Sequence, residues 1–294
     1  MKLKAYAKIN LGLTVLDKRP DGYHNIETLI QHIDFFDEIT LKPQKTDIDF
    51  ISDSPPFGEE NLCFKAAKLF FTTTGIKAGV SIKLKKHIWQ GAGLGGGSSD
   101  AATILTGMNK LFDYPLKKNK LYELASQLGS DVPFFLEEYP AIVKGRGEII
   151  KRLPSLVKPM LIVLVYPDFQ ISTKWAYKEM DKIRCEKKLT NRKNYTNKIR
   201  IKFFENDIKG IANSLYNDFE RVVFKKYPKL LTVKENLLKE GAIGVSLSGS
   251  GSCMYGILKN KGIDLPTGKE RFIRLFPKYY VNIVRTKRKE KRWT

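Results

Sequence analysis

Gln90-Gly91-Ala92-Gly93-Leu94-Gly95-Gly96-Gly97-Ser98-Ser99-Asp100-Ala101-Ala102 is the stretch on which the reading of this chain turns. Five of the seven residues from Gly91 to Gly97 are glycine, and the run opens onto a helix pattern carried by Ala101, Ala102, Ile104 and Leu105. A loop without Cβ atoms can turn its N–H groups inward and close around a ligand. The helix that follows adds unpaired N–H groups and the positive end of its dipole, and both favour an anion. Before the loop, the alternation Val80, Ile82, Leu84 predicts a strand. Strand, glycine loop and helix N-terminus together make a cradle for phosphate.

Two familiar phosphate loops fit less well. The GxxxxGK[ST] pattern is absent, since Ser98-Ser99 and not Lys follow the glycines. Gly91-x-Gly93-x-x-Gly96 matches GxGxxG, but a dinucleotide fold needs a second strand ending in an acidic residue about 20 positions on. Asp113 lies near that distance, yet Asn109 to Pro115 has no apolar alternation to make the strand. A flexible linker is the plain alternative, and linkers are seldom bounded by a strand and a tight helix pattern.

Three further segments carry polar groups of interest. Leu3, Ala5, Ala7, Ile9, Leu11, Leu13 and Val15 alternate at period two, so Lys8 and Asn10 share the face opposite the apolar one. That face can orient a polar substrate or simply meet solvent. Asp131, in Gly129-Ser130-Asp131-Val132-Pro133-Phe134-Phe135, follows the helix pattern Leu121, Leu124, Ala125, Leu128. Among Val, Pro and Phe its carboxylate would feel desolvation, with a nearby Lys pulling its pKa the other way, as suits a base that accepts an alcohol proton. Taken alone, a turn Asp is the commoner reading. Ser246-Leu247-Ser248-Gly249-Ser250-Gly251-Ser252 is a second small-residue turn, followed by the alternation Cys253, Tyr255, Ile257. Such residues let another backbone approach closely, or make a plain hairpin turn.

In this order, Lys strand, glycine-serine loop and C-terminal small-residue turn, the chain resembles the GHMP kinase superfamily. The matching runs are Ala7 to Leu11, Arg19-Pro20-Asp21-Gly22-Tyr23-His24, Gly91 to Ala102, Ser130 to Phe135, Gly145-Arg146-Gly147-Glu148 and Ser248 to Gly251. They span about Leu3 to about Leu258. The glycine loop is specific only to the superfamily. Asp-Gly-Tyr-His together with Gly-Arg-Gly-Glu resembles the branch that phosphorylates a cytidine diphosphate sugar alcohol for isoprenoid precursors.

The resemblance implies an α+β, two-lobed fold: an N-terminal lobe like ribosomal protein S5 domain 2 and a ferredoxin-like C-terminal lobe. It implies ATP as co-substrate with Mg²⁺, Asp131 as general base and Lys8 beside it, with Asn10 placing the acceptor. Phosphoryl transfer asks mainly for positioning and charge stabilisation. Gly91, Gly93, Gly95, Gly96, Gly97, Ser98 and Ser99 would hold the ATP phosphates, with both hydroxyls available to phosphate or metal. Asn61 and Lys86 would touch adenine. Tyr23 and Tyr177 would stack on cytosine from either side, with His24 hydrogen-bonding its edge. Thr173 and Lys178 would contact the nucleotide end, and Ser250 and Gly251 would close the wall. The chain departs from the family at Lys86-His87-Ile88-Trp89-Gln90, where Trp89 stands in place of a frequent Pro and adds bulk near adenine.

Composition suits a globular enzyme. At 294 residues, 42% hydrophobic, the chain can fill two lobes around a cleft. No apolar run reaches a membrane span, and no signal peptide is expected. Three scattered cysteines, Cys63, Cys185 and Cys253, form neither metal spacing nor disulfide framework, which suits the cytoplasm. Three His are too few for a His-based metal site, and no protein metal site is expected. The net charge of +21 would draw anionic substrates. Its excess at Lys182–Lys202 and in the tail from Arg285 reads as lysine bias, so no specific nucleic acid is expected. Small-molecule substrates, no membrane and a monomer or weak dimer complete the partners.

Strands are expected around 3–15, 28–44, 47–52, 79–88, 141–145 and 160–166, with helices near 61–74, 98–111 and 118–128. The remainder reads helix, helix, strand, turn, strand, helix, strand. The N-terminal lobe is set at 1–157, the C-terminal lobe at 158–284 and a basic tail at 285–294. Two alternatives stay open: another small-molecule kinase of mevalonate or homoserine type, and a non-catalytic basic homologue that binds nucleic acid.

Overall fold

A computed structural model describes residues 1–186, 195–259 and 265–288. The expected tail from residue 289, and 187–194 of the basic Lys182–Lys202 segment, lie outside the described residues. In chain order the elements are β1 (Lys2–Lys18), β2 (His24–Gln44), β3 (Ile48–Ser52), α1 (Leu62–Thr74), β4 (Gly79–Lys85), α2 (Gly96–Leu111), α3 (Lys118–Leu128), β5 (Ala141–Gly145) and β6 (Ile149–Arg152). Then come β7 (Leu161–Tyr166), α4 (Thr173–Glu186), α5 (Tyr195–Phe204), α6 (Ile208–Ala212), β8 (Tyr216–Asn217), α7 (Glu220–Lys226) and α8 (Pro228–Lys239). The last elements are β9 (Ala242–Leu247), β10 (Met254–Leu258), α9 (Leu265–Leu275) and β11 (Tyr280–Arg285).

They form two sheets with helices packed on them, an α+β architecture. The first follows β3-β4-β2-β1-β8, with β5 joined to β2 and β6 to β5. The second is β11-β7-β10-β9, antiparallel throughout. Long β1 and β2 pair antiparallel along most of their length and make the spine of the first sheet. One core lies between that sheet and α1, α2 and α3, around Phe70, Ile82, Leu105 and Met108. A second fills the C-terminal lobe around Val163, Phe219, Leu237 and Met254. A third, with Ile9, Leu11, Leu164 and Tyr255, joins the two sheets.

Both faces of β1 are buried. Ala5, Ala7, Ile9 and Leu11 are fully so, as their alternation requires, but Lys8 and Asn10 are also only 4% and 3% exposed. The expected polar face is therefore not solvated; it is the floor of the cleft. The β1–β2 register shifts between Tyr6 and Lys8 and again between Asn10 and Gly12, so irregularities flank both polar residues. Such bulges re-aim side chains and recur beside functional sites.

Two strands escape the sequence pattern. β6 has four residues, mostly exposed, and pairs only with β5. β8 has two and runs parallel to β1 at Gly12 and Leu13. Both are too short to show a period. The basic run from Arg285 begins inside the fold: Arg285 pairs with Leu161, and Thr286 bridges to Ile33 of β2.

Candidate active site

A cleft of about 470 Å³ is lined by strands of the first sheet, by the glycine loop and by the turn that joins β9 to β10, and it gathers segments remote in sequence. From β1 comes Lys8, whose Nζ donates to Asn10 Oδ1 (2.6 Å) and to the Gly93 carbonyl (2.9 Å). Asn10 Oδ1 also accepts from Gly249 N (3.0 Å), and its Nδ2 donates to Thr28 Oγ1 (2.9 Å). One Lys–Asn pair thus touches the glycine loop and the C-terminal small-residue turn together. Burial pushes the Lys8 pKa below its ordinary value, and the Asp131 carboxylate pulls it back up. The pair has opposite charges in a sheltered place, where Coulomb interactions are felt strongly.

The glycine loop is sewn to both lobes. Lys8 N donates to Leu94 O (3.0 Å), and Cys253 N to Ala92 O (3.1 Å). Ser248 Oγ donates to Gly93 O (2.9 Å). Gly93, Gly95, Gly96, Gly97 and Ser98 line the cleft as the chain enters α2, as does Gly91 at the loop's start. Ser99 is buried and does not line it. The helix begins at Gly96, two residues before its expected start, because Gly95 takes the left-handed conformation as N-cap. Free N–H groups at the N-terminus of a helix this long, beside a buried Lys, form an anion site.

Asp131 comes from the segment after α3. α3 ends at Gly129, and Asp131 opens a 3-10 turn, Val132–Leu136, with Pro133 in its first turn. Its side chain is half-buried on the cleft wall. A cradle for phosphate, a cation and a carboxylate in one cleft can hold a triphosphate and deprotonate an acceptor hydroxyl.

Other expected residues are placed as follows. Thr173 and Ser250 share a hydroxyl contact of 2.8 Å at the cleft edge. Tyr177 lines the cleft, but the ring stacked on it is His24, with centroids 4.7 Å apart and planes at 12°. His24 Nε2 is held by Asp181 Oδ1 at 2.7 Å. Tyr23 is 54% exposed and lies beneath the Arg146 guanidinium, 4.7 Å from its ring centre. Tyr177 is thus paired with His24, and Tyr23 with Arg146. Lys178 is exposed on α4, and Gly251 sits behind Ser250. Trp89 lines the cleft, stacked on Tyr166 at 5.6 Å.

Asn61 and Lys86 line the cleft with their side-chain ends committed elsewhere. Asn61 caps α1 by accepting from Cys63 N (2.9 Å) and donates to Pro56 O (2.8 Å). Lys86 Nζ donates to Asp100 Oδ2 (2.6 Å) and to Asp37, a buried cluster beneath the N-terminus of α2. Asp37 Oδ1 also accepts from Ile88 N at 2.7 Å, fixing the approach to the loop. Among the described residues, Asp100 Oδ1 has no partner.

Burial lifts the Asp100 carboxyl to about 8, with Lys86 opposing and Asp37 adding to the rise. The folded protein then keeps this proton up to about pH 8, whereas the unfolded chain releases it near its ordinary value of 3.8. Between those limits the folded state binds more protons, so stability falls as pH rises. Melting temperatures across that range are expected to decline less in Asp100→Asn than in the native chain. Parallel curves would contradict this.

Several supporting residues were not anticipated from the sequence. Asn217 Nδ2 donates to both Leu247 O and Gly249 O (2.8 Å each) and holds the C-terminal turn in place. Glu220 Oε1 accepts from Ser246 Oγ (2.9 Å) and Leu247 N (3.0 Å) behind it. The polar pair Asn217-Asp218 between apolar neighbours is the one trace of this support in the sequence.

The chain matches the GHMP kinases N terminal domain over residues 61–138 and the GHMP kinases C terminal domain over 199–263. It is 41% identical to a 4-diphosphocytidyl-2-C-methyl-D-erythritol kinase of Thermodesulfovibrio yellowstonii, covering 96% of each chain. It is 36% identical to the kinase of that name from Clostridioides difficile, covering 96% of this chain and 94% of that one. The crystal structure of a 4-(cytidine 5'-diphospho)-2C-methyl-D-erythritol kinase superposes with a TM-score of 0.80 at 32% identity, over 97% of this chain and 99% of that one. A homoserine kinase from Cytophaga hutchinsonii shares the fold, with a TM-score of 0.73 at 18% identity, over 98% of this chain and 94% of that one.

Proposed function

The chain belongs to the GHMP kinase family, within it to the 4-diphosphocytidyl-2-C-methyl-D-erythritol kinases, and we propose how its cleft performs their reaction. It is an ATP-dependent kinase that phosphorylates the 2-hydroxyl of 4-diphosphocytidyl-2-C-methyl-D-erythritol for isoprenoid precursor synthesis. In our reading Asp131 takes the proton from that hydroxyl. Lys8 stabilises the carboxylate and the charge that develops on the transferring group. Asn10 places the acceptor, and the backbone from Gly93 to Ser98 carries the β- and γ-phosphates. The observation that carries this reading is the Lys8 ammonium, bonded to the Gly93 carbonyl of the cradle and electrostatically coupled to Asp131.

Mg²⁺ takes oxygen ligands and commonly rests on substrate phosphates with few protein ligands. Among the described residues no group of three His, Cys, Asp or Glu is placed to hold a metal. A phosphate-borne ion fits that donor set, with the Ser98 hydroxyl as the protein oxygen beside the cradle. When bound it would neutralise phosphate charge.

The nucleotide end of the acceptor is read onto the His24–Tyr177 pair and the Thr173–Ser250 hydroxyls, with Tyr23 and Lys178 at the mouth. Adenine is read toward Trp89, Asn61 and Lys86, the last two acting through their backbone surroundings. The lobe boundary near residue 157, a cytoplasmic setting suited to the free thiols of Cys63 and Cys253, and a monomer or weak dimer without nucleic-acid partners complete the proposal. No helix among the described residues is long and apolar enough to cross a membrane.

An acceptor panel tests the substrate. With ATP and Mg²⁺, the cytidine-diphosphate alcohol is expected to turn over at least ~10³-fold faster, by kcat/KM, than mevalonate or homoserine, since a site built for polar groups rejects acceptors lacking them. Comparable rates across the panel would move the chain's specificity to a relative. RNA binding without any turnover would favour the non-catalytic reading.

A further inference from the structure

Gly145-Arg146-Gly147-Glu148 matches the family pattern, but the mechanism above gives it no role. These residues form the tight turn between β5 and β6. Gly147 N donates to Lys144 O at 3.2 Å, and Glu148 Oε2 accepts from Arg146 N at 2.6 Å. β5 is paired with β2, Gly145 lying opposite Ile26, and β2 is paired with the strand that carries Lys8. The turn therefore extends a rigid sheet.

Gly147 is buried and packs directly on the backbone before Asp131. A Cβ built there would lie 2.2 Å from the Ser130 carbonyl oxygen and 3.0 Å from its carbonyl carbon. Backbone φ at Gly147 is +135°, which side-chain-bearing residues rarely adopt. The neighbouring Arg146 reaches the other way: its guanidinium covers Tyr23 at 4.7 Å and its Nη1 lies 3.8 Å from Asp21 Oδ2. The two runs whose combination marks this branch of the family are thus in contact.

We propose that Gly147 is a positioning residue: through its packing on Ser130, the β5–β6 turn sets where the Asp131 carboxylate stands relative to Lys8 and the acceptor hydroxyl. The inference rests on Asp131 being the base. Proton transfer depends on heavy-atom separations held within a few tenths of an ångström, and a misplacement of about 1 Å costs about 10²-fold in rate. A side chain at 147 displaces Ser130, and Asp131 moves with it.

The test compares Gly147→Ala with Gly241→Ala, each made in the native and Asp131→Asn backgrounds. Gly241 has φ +92° but open space around its Cβ position, so its variant carries backbone strain without a collision. Gly147→Ala is expected to lose about 10²-fold in kcat with KM for ATP within about twofold, and to slow Asp131→Asn no further. Gly241→Ala is expected to lower the melting temperature and leave kcat alone. Glu148→Ala frees the turn without adding bulk; should Gly147→Ala fail to fold, it is expected to lower kcat about threefold or more, again only while Asp131 is present. Native-like kcat in the variants of the turn, or an equal loss in the Asp131→Asn background, overturns the proposal. Failure of the base reading shows separately, as near-native turnover by Asp131→Asn alone, and removes the positioning role with it.

Discussion

Asp131→Asn is expected to lower kcat by about 10²–10⁴-fold, the usual contribution of general base catalysis, while affinity for ATP stays within about twofold. Asn keeps the shape of the side chain and removes its ability to accept the acceptor's proton as a carboxylate. Asp131 lines the cleft away from the glycine cradle's hydrogen bonds, so the triphosphate seat should survive. A second consequence follows from the coupling with Lys8. Burial already depresses the Lys8 pKa, and Asp131 opposes that depression. With Asn at 131 the ammonium loses its counter-charge and releases its proton more readily. Lys8→Met added to Asp131→Asn should then cost less than it costs in the native chain, because residues that act as a unit are not additive. Steady-state kinetics with calorimetric ATP titration separates these effects. Unchanged kcat in Asp131→Asn would remove the residue from the chemistry.

Gly93→Ala is expected to raise KM for ATP more than ~10-fold and to destabilise the fold by about 2–4 kcal/mol. Gly93 has φ +79°, and a Cβ there would lie 2.0 Å from the Ser248 carbonyl oxygen and 3.2 Å from Gly251 N. Neither backbone atom can retreat easily. Ser248 is tied to Cys253 through its N–H, and its Oγ donates to Gly93 O, which also accepts from Lys8. β1, the glycine loop and the C-terminal small-residue turn meet at this one peptide, and a methyl group would part them. Gly97→Ala makes the contrast within the same loop. Its nearest new neighbour is Leu62 Cδ1 at 3.8 Å and its φ is ordinary, so KM is expected to stay within about twofold and the helix to gain stability, Ala being the better helix former. Equal effects of the two substitutions would mean that the loop is merely flexible.

Much of this was legible in the sequence because the signals are local. The glycine run, its flanking strand and helix, the period-two pattern around Lys8 and Asn10, and the turn before Asp131 each lie within a few residues. The α+β class and most element positions follow from the same patterns. What escaped depends on pairings between remote segments. Asp37, Lys86 and Asp100 stand on β2, just past β4 and on α2, and meet because β2 and β4 pair antiparallel with Glu38 opposite Lys85. No spacing within any one segment announces that. The commitment of Lys86 to Asp37 and Asp100 was invisible for the same reason, whereas that of Asn61 to the cap of α1 is local, its Oδ1 accepting from Cys63 N two residues on. His24 and Tyr177 lie 153 positions apart in chain numbering and stack only because the α4 region docks against the start of β2. The full burial of Lys8 and Asn10 likewise requires the second lobe: Tyr255 OH donates to Asn10 O at 2.8 Å, and Gly249 caps Asn10 Oδ1.

The most direct measurement is a crystal structure of the native chain with a non-hydrolysable ATP analogue, Mg²⁺ and 4-diphosphocytidyl-2-C-methyl-D-erythritol. The expected result places the 2-hydroxyl oxygen about 2.6–3.2 Å from an Asp131 carboxylate oxygen, in line with a γ-phosphate held by the Gly93–Ser98 backbone. An acceptor hydroxyl turned away from Asp131, or a triphosphate bound outside the glycine loop, would contradict it.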